Sequence, residues 1–394
     1  MSLSGRLQNC RTQARLTQQQ VADVLHVPRE SISMWEKGSR VPGLRQLEDL
    51  ARLYSVSVEY LLGKEELIEG RFEREVLCRG LVNHPAVHME LSKWFEFLDE
   101  WSEIVESAGV TWNNAGKPPK KLDRGPDFTD SRAAPTLASE ARAVYELGTD
   151  AIPDLYSFLD EQDILVCKAN LGDWSDPAQP GISGAFHNHP KLGYCILVNA
   201  QNSLGRQAFT LAHEFAHALF HYNSRSLISI RKDSSPREYF ADAFATHFLV
   251  PTRELNKLID NWGWKNRIDP HKAIELAYVF RVSYVFMLYR LRNERHITEE
   301  QRAQWATLSP GALAHQLGLD PEVFHKPGTE ALNMNRYPAS VLQTVRDLIR
   351  QDELFVSQAA DLLDVSQAQI QSLLLSEPAQ ATESEQKEAC EFAF

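Results

Sequence analysis

Apolar positions recur at helical spacing through most of this chain and at strand spacing in only two short runs. Over residues 5–62 the helical periods are short and broken by turn signals. Thr17 precedes Val21, Ala22 and Leu25 as an N-cap, Val27-Pro28 supplies a turn, and Ile32 and Trp35 give the next helix one apolar side. Residues 64–108 read as helix, with Leu91, Trp94, Leu98, Trp101 and Val105 in a stripe. That stripe is too short for a coiled coil, so packing against its own domain is expected ahead of a dimer seam. The polar stretch TWNNAGKPPKKLDRGPDFTD has no period and reads as a linker. After it the mixture changes. Helices are expected over 136–147 and 152–160 and strands over ILVCK (164–168) and YCILVN (194–199), with a Gly/Pro/Asn-rich segment between the strands. Two strong helices follow over 203–222 and 236–249, the second stopped by Pro251. Residues 268–292 and 340–375 return to helix, and the acidic end of the chain is expected to be disordered.

A chain of 394 residues is long enough for two or three domains. The opening MSLSGRLQNC lacks an apolar signal core, and no run approaches the roughly 18 apolar residues of a membrane helix. Five scattered cysteines without a CxxC fit reduced thiols, so a cytoplasmic protein away from membranes is expected. The net charge of −12 opposes any extended grip on nucleic acid. Residues 1–62 hold eight Lys or Arg against six Asp or Glu, about +2, which leaves about −14 for the rest. DNA contact, if made, is therefore local to the N-terminus.

In the segment LTQQQVADVLHVPRESISMWEKGSRVP, the second helix leaves Arg29, Glu30, Ser33 and Met34 opposite its apolar side, followed by Lys37. Such side chains suit base edges and phosphates. TQQQVA, WEKG, the Pro42 turn and LEDLARLYSVSVEYLLG together resemble the Cro/CI-type (XRE) helix-turn-helix family. The departure is His26, where the family usually has Gly; His tolerates positive φ better than most residues. The resemblance implies a five-helix domain that binds a double-stranded DNA operator as a dimer on paired half-sites. It implies Gln18 near a phosphate and Arg29, Glu30 and Ser33 in the major groove, with Lys37 close by.

The run FTLAHEFAHALFH carries HEFAH at 213–217. Histidines four apart on a helix sit about 6 Å from one another on one face, so His213 and His217 can reach one ion. Glu214 lies beside that ion, where it can take a proton from an attacking water. A catalytic zinc needs a third protein ligand. His221 lies about 12 Å along the axis from His213, too far to share the ion with it, and His247 reads as packed in its own helix. Glu238 shares a helix face with Ala241, Asp242 and Ala245, whose small residues allow close approach to the HEFAH helix. Spacing alone leaves Glu238 open between a metal ligand and a surface acid. Asp242 on that face suits orienting a ligand histidine.

ISG (182–184), ILVN (196–199), RQAFTLAHEFAHALFH (206–221) and the pattern E-x-x-A-D-x-F-A-x-x-x-L-V-P (238–251) together resemble the ImmA/IrrE metallopeptidase family. LAYVFRVSYVFMLYRL (276–291) resembles the helical module that follows the peptidase there. The resemblance implies that His213, His217 and Glu238 bind one Zn2+, or another divalent ion, and that Glu214 is the base. Asp242 stands where the family more often has Asn. His221 reads as a rim or structural residue; with Asp242, Tyr239 and Tyr222 it is a candidate for supporting a ligand histidine or stabilising the oxyanion, and sequence does not choose among them. YCILVN is expected to be an edge strand to which a substrate segment adds, with an internal core strand as the alternative.

The expected architecture is multidomain and mainly α. It comprises a helix-turn-helix domain (1–63), a helical connector (64–110), a linker (111–133) and an α+β zincin-like peptidase with a small sheet (134–265). A helical module (266–300), a helical C-terminal region (301–376) and a disordered tail (377–394) complete it. Within the C-terminal region, Ala359, Ala360, Leu363, Val365, Ile370 and Leu374 repeat a helix-turn-helix rhythm without basic residues, which favours packing over DNA contact. The expected function is a DNA-binding regulatory zinc metalloendopeptidase whose protein substrate is a helix-turn-helix repressor or antitoxin, relieved under stress or in a phage setting. The alternative is a regulator or antitoxin whose peptidase fold binds a partner or senses a signal without cutting.

Overall fold

The computed structural model describes residues 2–13, 16–54, 56–64, 85–112, 116–173, 181–222, 226–230, 235–324 and 334–375. The expected disordered tail, the first part of the connector, Cys78 and Cys390 lie outside the described residues.

Five helices form the N-terminal unit: α1 (Leu3–Gln13), α2 (Gln18–Val24), α3 (Arg29–Lys37), α4 (Leu44–Leu53) and α5 (Val58–Leu62). Thr17 caps α2 in a reciprocal box with Gln20, satisfying backbone donors that a helix start leaves open. Leu7, Val21, Ala22, Ile32, Trp35, Leu50 and Leu61 close around one another as its core. His26, in the turn between α2 and α3, adopts φ 51°, the left-handed conformation its place required.

Helix α6 (Pro85–Ser107) follows. Its stripe of Leu91, Trp94, Leu98, Trp101 and Val105 is buried within this chain, against one face of a sheet, as packing on its own fold requires. Next come α7 (Ala134–Val144), α8 (Leu155–Glu161), β1 (Leu165–Ala169), β2 (Ile182–His189), β3 (Gly193–Asn199), α9 (Leu204–Phe220), β4 (Ser226–Ile230) and α10 (Pro236–Leu249). The helical remainder comprises α11 (Thr252–Asn261), α12 (Pro270–Val279), α13 (Tyr284–Asn293), α14 (Glu299–Trp305), α15 (Pro310–Gln316), α16 (Ala339–Arg350), α17 (Val356–Leu362) and α18 (Gln367–Leu375).

The sheet runs in the order β1-β3-β2-β4. β1 is parallel to β3, with Leu165 opposite Cys195, while β2 is antiparallel to both β3 and β4. The run YCILVN is thus an internal strand, which corrects the expectation of an edge; among the described residues the outermost strand on the β2 side is β4. The cause is burial on both faces. Tyr194, Ile196 and Val198 pack toward α7, α9 and α10, whereas Cys195 and Leu197 pack toward α6 and the C-terminal helices. A strand covered on both sides reads as a continuous apolar run, whatever its neighbours. β2 escapes the apolar pattern altogether, because Ser183, His187, Asn188 and His189 interrupt it.

The C-terminal helices belong to this same layer. Ala359, Ala360, Leu363 and Ile370 are buried beside Val341 and Val345 against the α6 stripe, so the acidic helix-turn-helix-like stretch is packing material. The segment 116–133 carries only a short 3-10 turn, Ser131–Ala133, and is laid along the peptidase rather than across a gap. The Phe128 N–H donates to the Phe220 carbonyl at 3.2 Å, and Arg237 pairs with Asp127 at 2.6 Å.

Gly184 sets how closely β2 approaches α9. A Cβ there would lie 2.7 Å from Thr210 Cγ2, 2.8 Å from the Leu197 carbonyl oxygen and 3.1 Å from Glu214 Oε1. Backbone and a buried helix flank that position, so neither side yields cheaply. Gly184→Ala is expected to cost ~1–3 kcal/mol of folding stability, read as a lower urea midpoint. An unchanged midpoint would contradict the close approach.

Candidate metal centre and DNA-facing helix

α9 and α10 lie against each other, and their contact faces bring three ligand-type side chains to one point. His213 and His217 stand one turn apart on α9, both buried. Glu238 enters from the first turn of α10, which Ser235 caps by accepting from the Glu238 N–H. Phe240, Ala241, Phe244 and Ala245 bury the rest of that α10 face against α9, which holds the helix in place. His213 Nε2 lies 3.0 Å from Glu238 Oε2, His217 Nε2 lies 3.1 Å from Glu238 Oε1, and the two Nε2 atoms are 3.1 Å apart. Among the described residues this is the only group of three such side chains whose ligand atoms all fall within 4.8 Å of one another.

The donor set fits a divalent cation of the zinc class. Two imidazole nitrogens and one carboxylate are a recurrent catalytic set, and they leave a coordination position open. The far side of each ring is also tied down. His213 Nδ1 lies 2.8 Å from Asp242 Oδ1, and His217 Nδ1 lies 2.8 Å from His221 Nδ1. Such outer partners fix ring orientation in metal sites. Asp242 reaches His213 from a position 56% exposed.

Charge in the cluster follows from burial and neighbours. Burial opposes a proton on His213, yet its bonds to Asp242 and Glu238 prevail and raise its pKa to about 10. His217 is pushed down, chiefly by burial. Burial would raise the Glu238 pKa, but its close contact with the two histidines, His213 foremost, holds it well below the ordinary carboxylate range.

Glu214 is fully buried between the two histidines in sequence, on the side of α9 that faces Gly184 of β2. Its carboxylate is outside the three-ligand group. Of the candidates for the oxyanion, His221 is excluded: both its ring nitrogens are engaged, Nδ1 with His217 and Nε2 with the Phe128 carbonyl oxygen at 2.8 Å. Tyr222 donates to Asp123 Oδ1 at 3.0 Å, and Tyr239 is 59% exposed. His247 is remote from the cluster, beside Arg290 and Thr252. The contact of His221 with His217 follows from their four-residue spacing, which sets the two rings one turn apart on one side of α9.

In the N-terminal unit, α3 buries Ser31, Ile32 and Trp35 and leaves Arg29, Glu30 and Lys37 exposed, with Ser33 half-buried beside them. Gln18 is not part of that exposed set. Its amide donates to Glu36 Oε2 at 2.8 Å, and Arg11 grips the same carboxylate at 2.6 and 3.0 Å. The pair bolts α1 and α2 to the C-terminal end of α3 and fixes the angle at which α3 is presented.

Residues 159–292 match the IrrE N-terminal-like peptidase domain family, and residues 7–61 match the helix-turn-helix family. The chain is 34% identical over 110 residues to the uncharacterized HTH-type transcriptional regulator YobD of Bacillus subtilis, covering 28% of this chain and 96% of YobD. It is 41% identical over 68 residues to the HTH-type transcriptional activator BcrR of Enterococcus faecalis, covering 17% of this chain and 33% of BcrR. It is 40% identical over 67 residues to the HTH-type transcriptional regulator ImmR of Bacillus subtilis, covering 17% of this chain and 53% of ImmR. This chain thus spans only a third of BcrR and about half of ImmR. Among the described residues no helix is long and apolar enough to cross a membrane.

Replacing Arg29 and Ser33 together by Ala is expected to weaken operator binding ~10-fold or more, seen as lost retardation in a gel shift at fixed salt. Equal retardation of variant and wild type would remove α3 from the reading role.

Proposed function

This chain belongs to the helix-turn-helix transcriptional regulators that carry an IrrE N-terminal-like peptidase domain, and from that premise we propose that it is a DNA-positioned zinc metallopeptidase that cuts a partner protein. The observation that carries the reading is the convergence of His213, His217 and Glu238, with Glu214 buried on the same helix next to His213. A zinc ion held there supplies Lewis-acid polarisation of a carbonyl and acidification of a water.

The chain's own residues supply the rest. Glu214 is the base: its carboxylate takes the proton of the attacking water and later delivers it to the leaving amine. Gly184 leaves room for that carboxylate, since any Cβ would crowd Oε1. Ser229 of β4 pairs with Gly184, so the outermost described strand on the β2 side runs one strand away from the base. An extended peptide added to β4 would gain main-chain hydrogen bonds and lie along the site. Tyr239 is left as the side chain to stabilise the oxyanion, since the one hydroxyl hydrogen of Tyr222 goes to Asp123.

The substrate proposed is another helix-turn-helix protein, a repressor or antitoxin, met in the cytoplasm while this chain sits as a homodimer on its operator. Such cleavage would relieve repression under stress or in a phage or mobile-element setting. A second reading, that the peptidase fold binds a partner or senses a signal without cutting, draws support from the relatives, which are named as regulators. Glu214→Ala separates the two. The variant is expected to keep its metal, read by elemental analysis, and to leave the partner repressor uncut on incubation with the full-length chain. Proteolysis at the wild-type rate would end the enzyme reading.

A further inference from the structure

Behind His217, away from Glu238, one backbone oxygen and three ring nitrogens stand in a row. The Phe128 carbonyl oxygen lies 2.8 Å from His221 Nε2, and His221 Nδ1 lies 2.8 Å from His217 Nδ1. A carbonyl oxygen only accepts, so His221 Nε2 must carry a hydrogen. A neutral imidazole has a single N–H, which leaves His221 Nδ1 as a bare acceptor. His217 must then donate from Nδ1, and its own Nε2 keeps a lone pair. That Nε2 is the atom 3.1 Å from both Glu238 Oε1 and His213 Nε2. His221 is fully buried.

We propose that His221 is a positioning residue that relays the acceptor character of the Phe128 carbonyl to His217 and locks that ring in the tautomer whose Nε2 is free to hold a cation. The inference rests on the metal-site reading for its purpose, although the tautomer itself can be measured without metal. It also gives the segment 116–133 a task. Phe128 is held at this spot because its N–H donates to the Phe220 carbonyl, while Asp127 pairs with Arg237 of α10 and Asp123 accepts from Tyr222. A stretch that looks like a tether is thus stitched to the end of α9 on three sides, and its one inward carbonyl fixes a proton two residues away through hydrogen bonds. On the other ring, Asp242 accepts from His213 Nδ1 at 2.8 Å.

The test uses the full-length chain freed of metal and labelled with nitrogen-15 in its histidine rings. Long-range ring correlations are expected to show hydrogen on Nδ1 of His217 and on Nε2 of His221. Hydrogen on Nε2 of His217 instead would overturn the proposal. Zinc affinity, measured by competition with a chromophoric chelator, provides the second reading. His221→Leu is expected to bind zinc ~10–100-fold more weakly, whereas His221→Asn, which keeps an acceptor near Nδ1, stays close to wild type. Wild-type affinity in the leucine variant would also overturn it. Should the leucine variant fail to fold, the ring assignments in the unaltered protein decide alone. Loss of proteolysis with the tautomer intact would count against the peptidase reading and leave this one standing.

Discussion

Two imidazoles and a carboxylate crowded into one buried space need partners for the outer ring nitrogens as well as for the inner ones. An uncompensated polar group in such surroundings costs several kcal/mol. Here the cost is met from three separate elements. Asp242 answers the outer nitrogen of His213, His221 and the Phe128 carbonyl answer that of His217, and Glu238 faces the inner nitrogen of each. The same constraint dictates the packing nearby. α10 must lie close enough for Glu238 to reach across, hence the alanines at 241 and 245, and β2 must lie close enough to α9 to exclude any side chain at 184.

That centre is supported from behind by chain drawn from far away in sequence. The face of the sheet opposite α9 is sealed by α6 and by the C-terminal helices. α6 also touches the N-terminal unit: Met89 is buried in the core of that unit, and Arg52 of α4 pairs with Glu96 at 2.5 Å. Lys93 reaches Asp364 at 2.7 Å. One helix therefore joins the helix-turn-helix unit, the sheet beside the candidate metal centre and the C-terminal helices. Its aromatic stripe is the common wall, and fully burying side chains of that size contributes ~1.5–3 kcal/mol apiece.

Residues placed by a single helix were readable from sequence. HEFAH puts its two histidines one turn apart with Glu214 beside them, and α3 could be sorted into a buried and an exposed side. The alanines at 241 and 245 marked the face of α10 that meets α9, and Asp242 with it, but Glu238 needed the family resemblance to be told from a surface acid. What stayed hidden depends on contacts distant in sequence. β2 was invisible because its polar residues are satisfied elsewhere: Asn188 donates to the carbonyls of Gly116 and Tyr222, and His189 sits 3.3 Å from Asp99. The internal position of β3 could not be told from an edge, since double burial erases alternation. The inward carbonyl of Phe128 has no sequence signature, as every residue carries one.

The account depends on Glu238 meeting the two histidines at one cation, and an anomalous-scattering crystal structure at the zinc absorption edge tests this most directly. The expected result is a single zinc with His213 Nε2 and His217 Nε2 at ~2.0–2.1 Å and a Glu238 oxygen at ~2.0–2.2 Å. A zinc ligated by other residues, or Glu238 turned away into solvent, would contradict it.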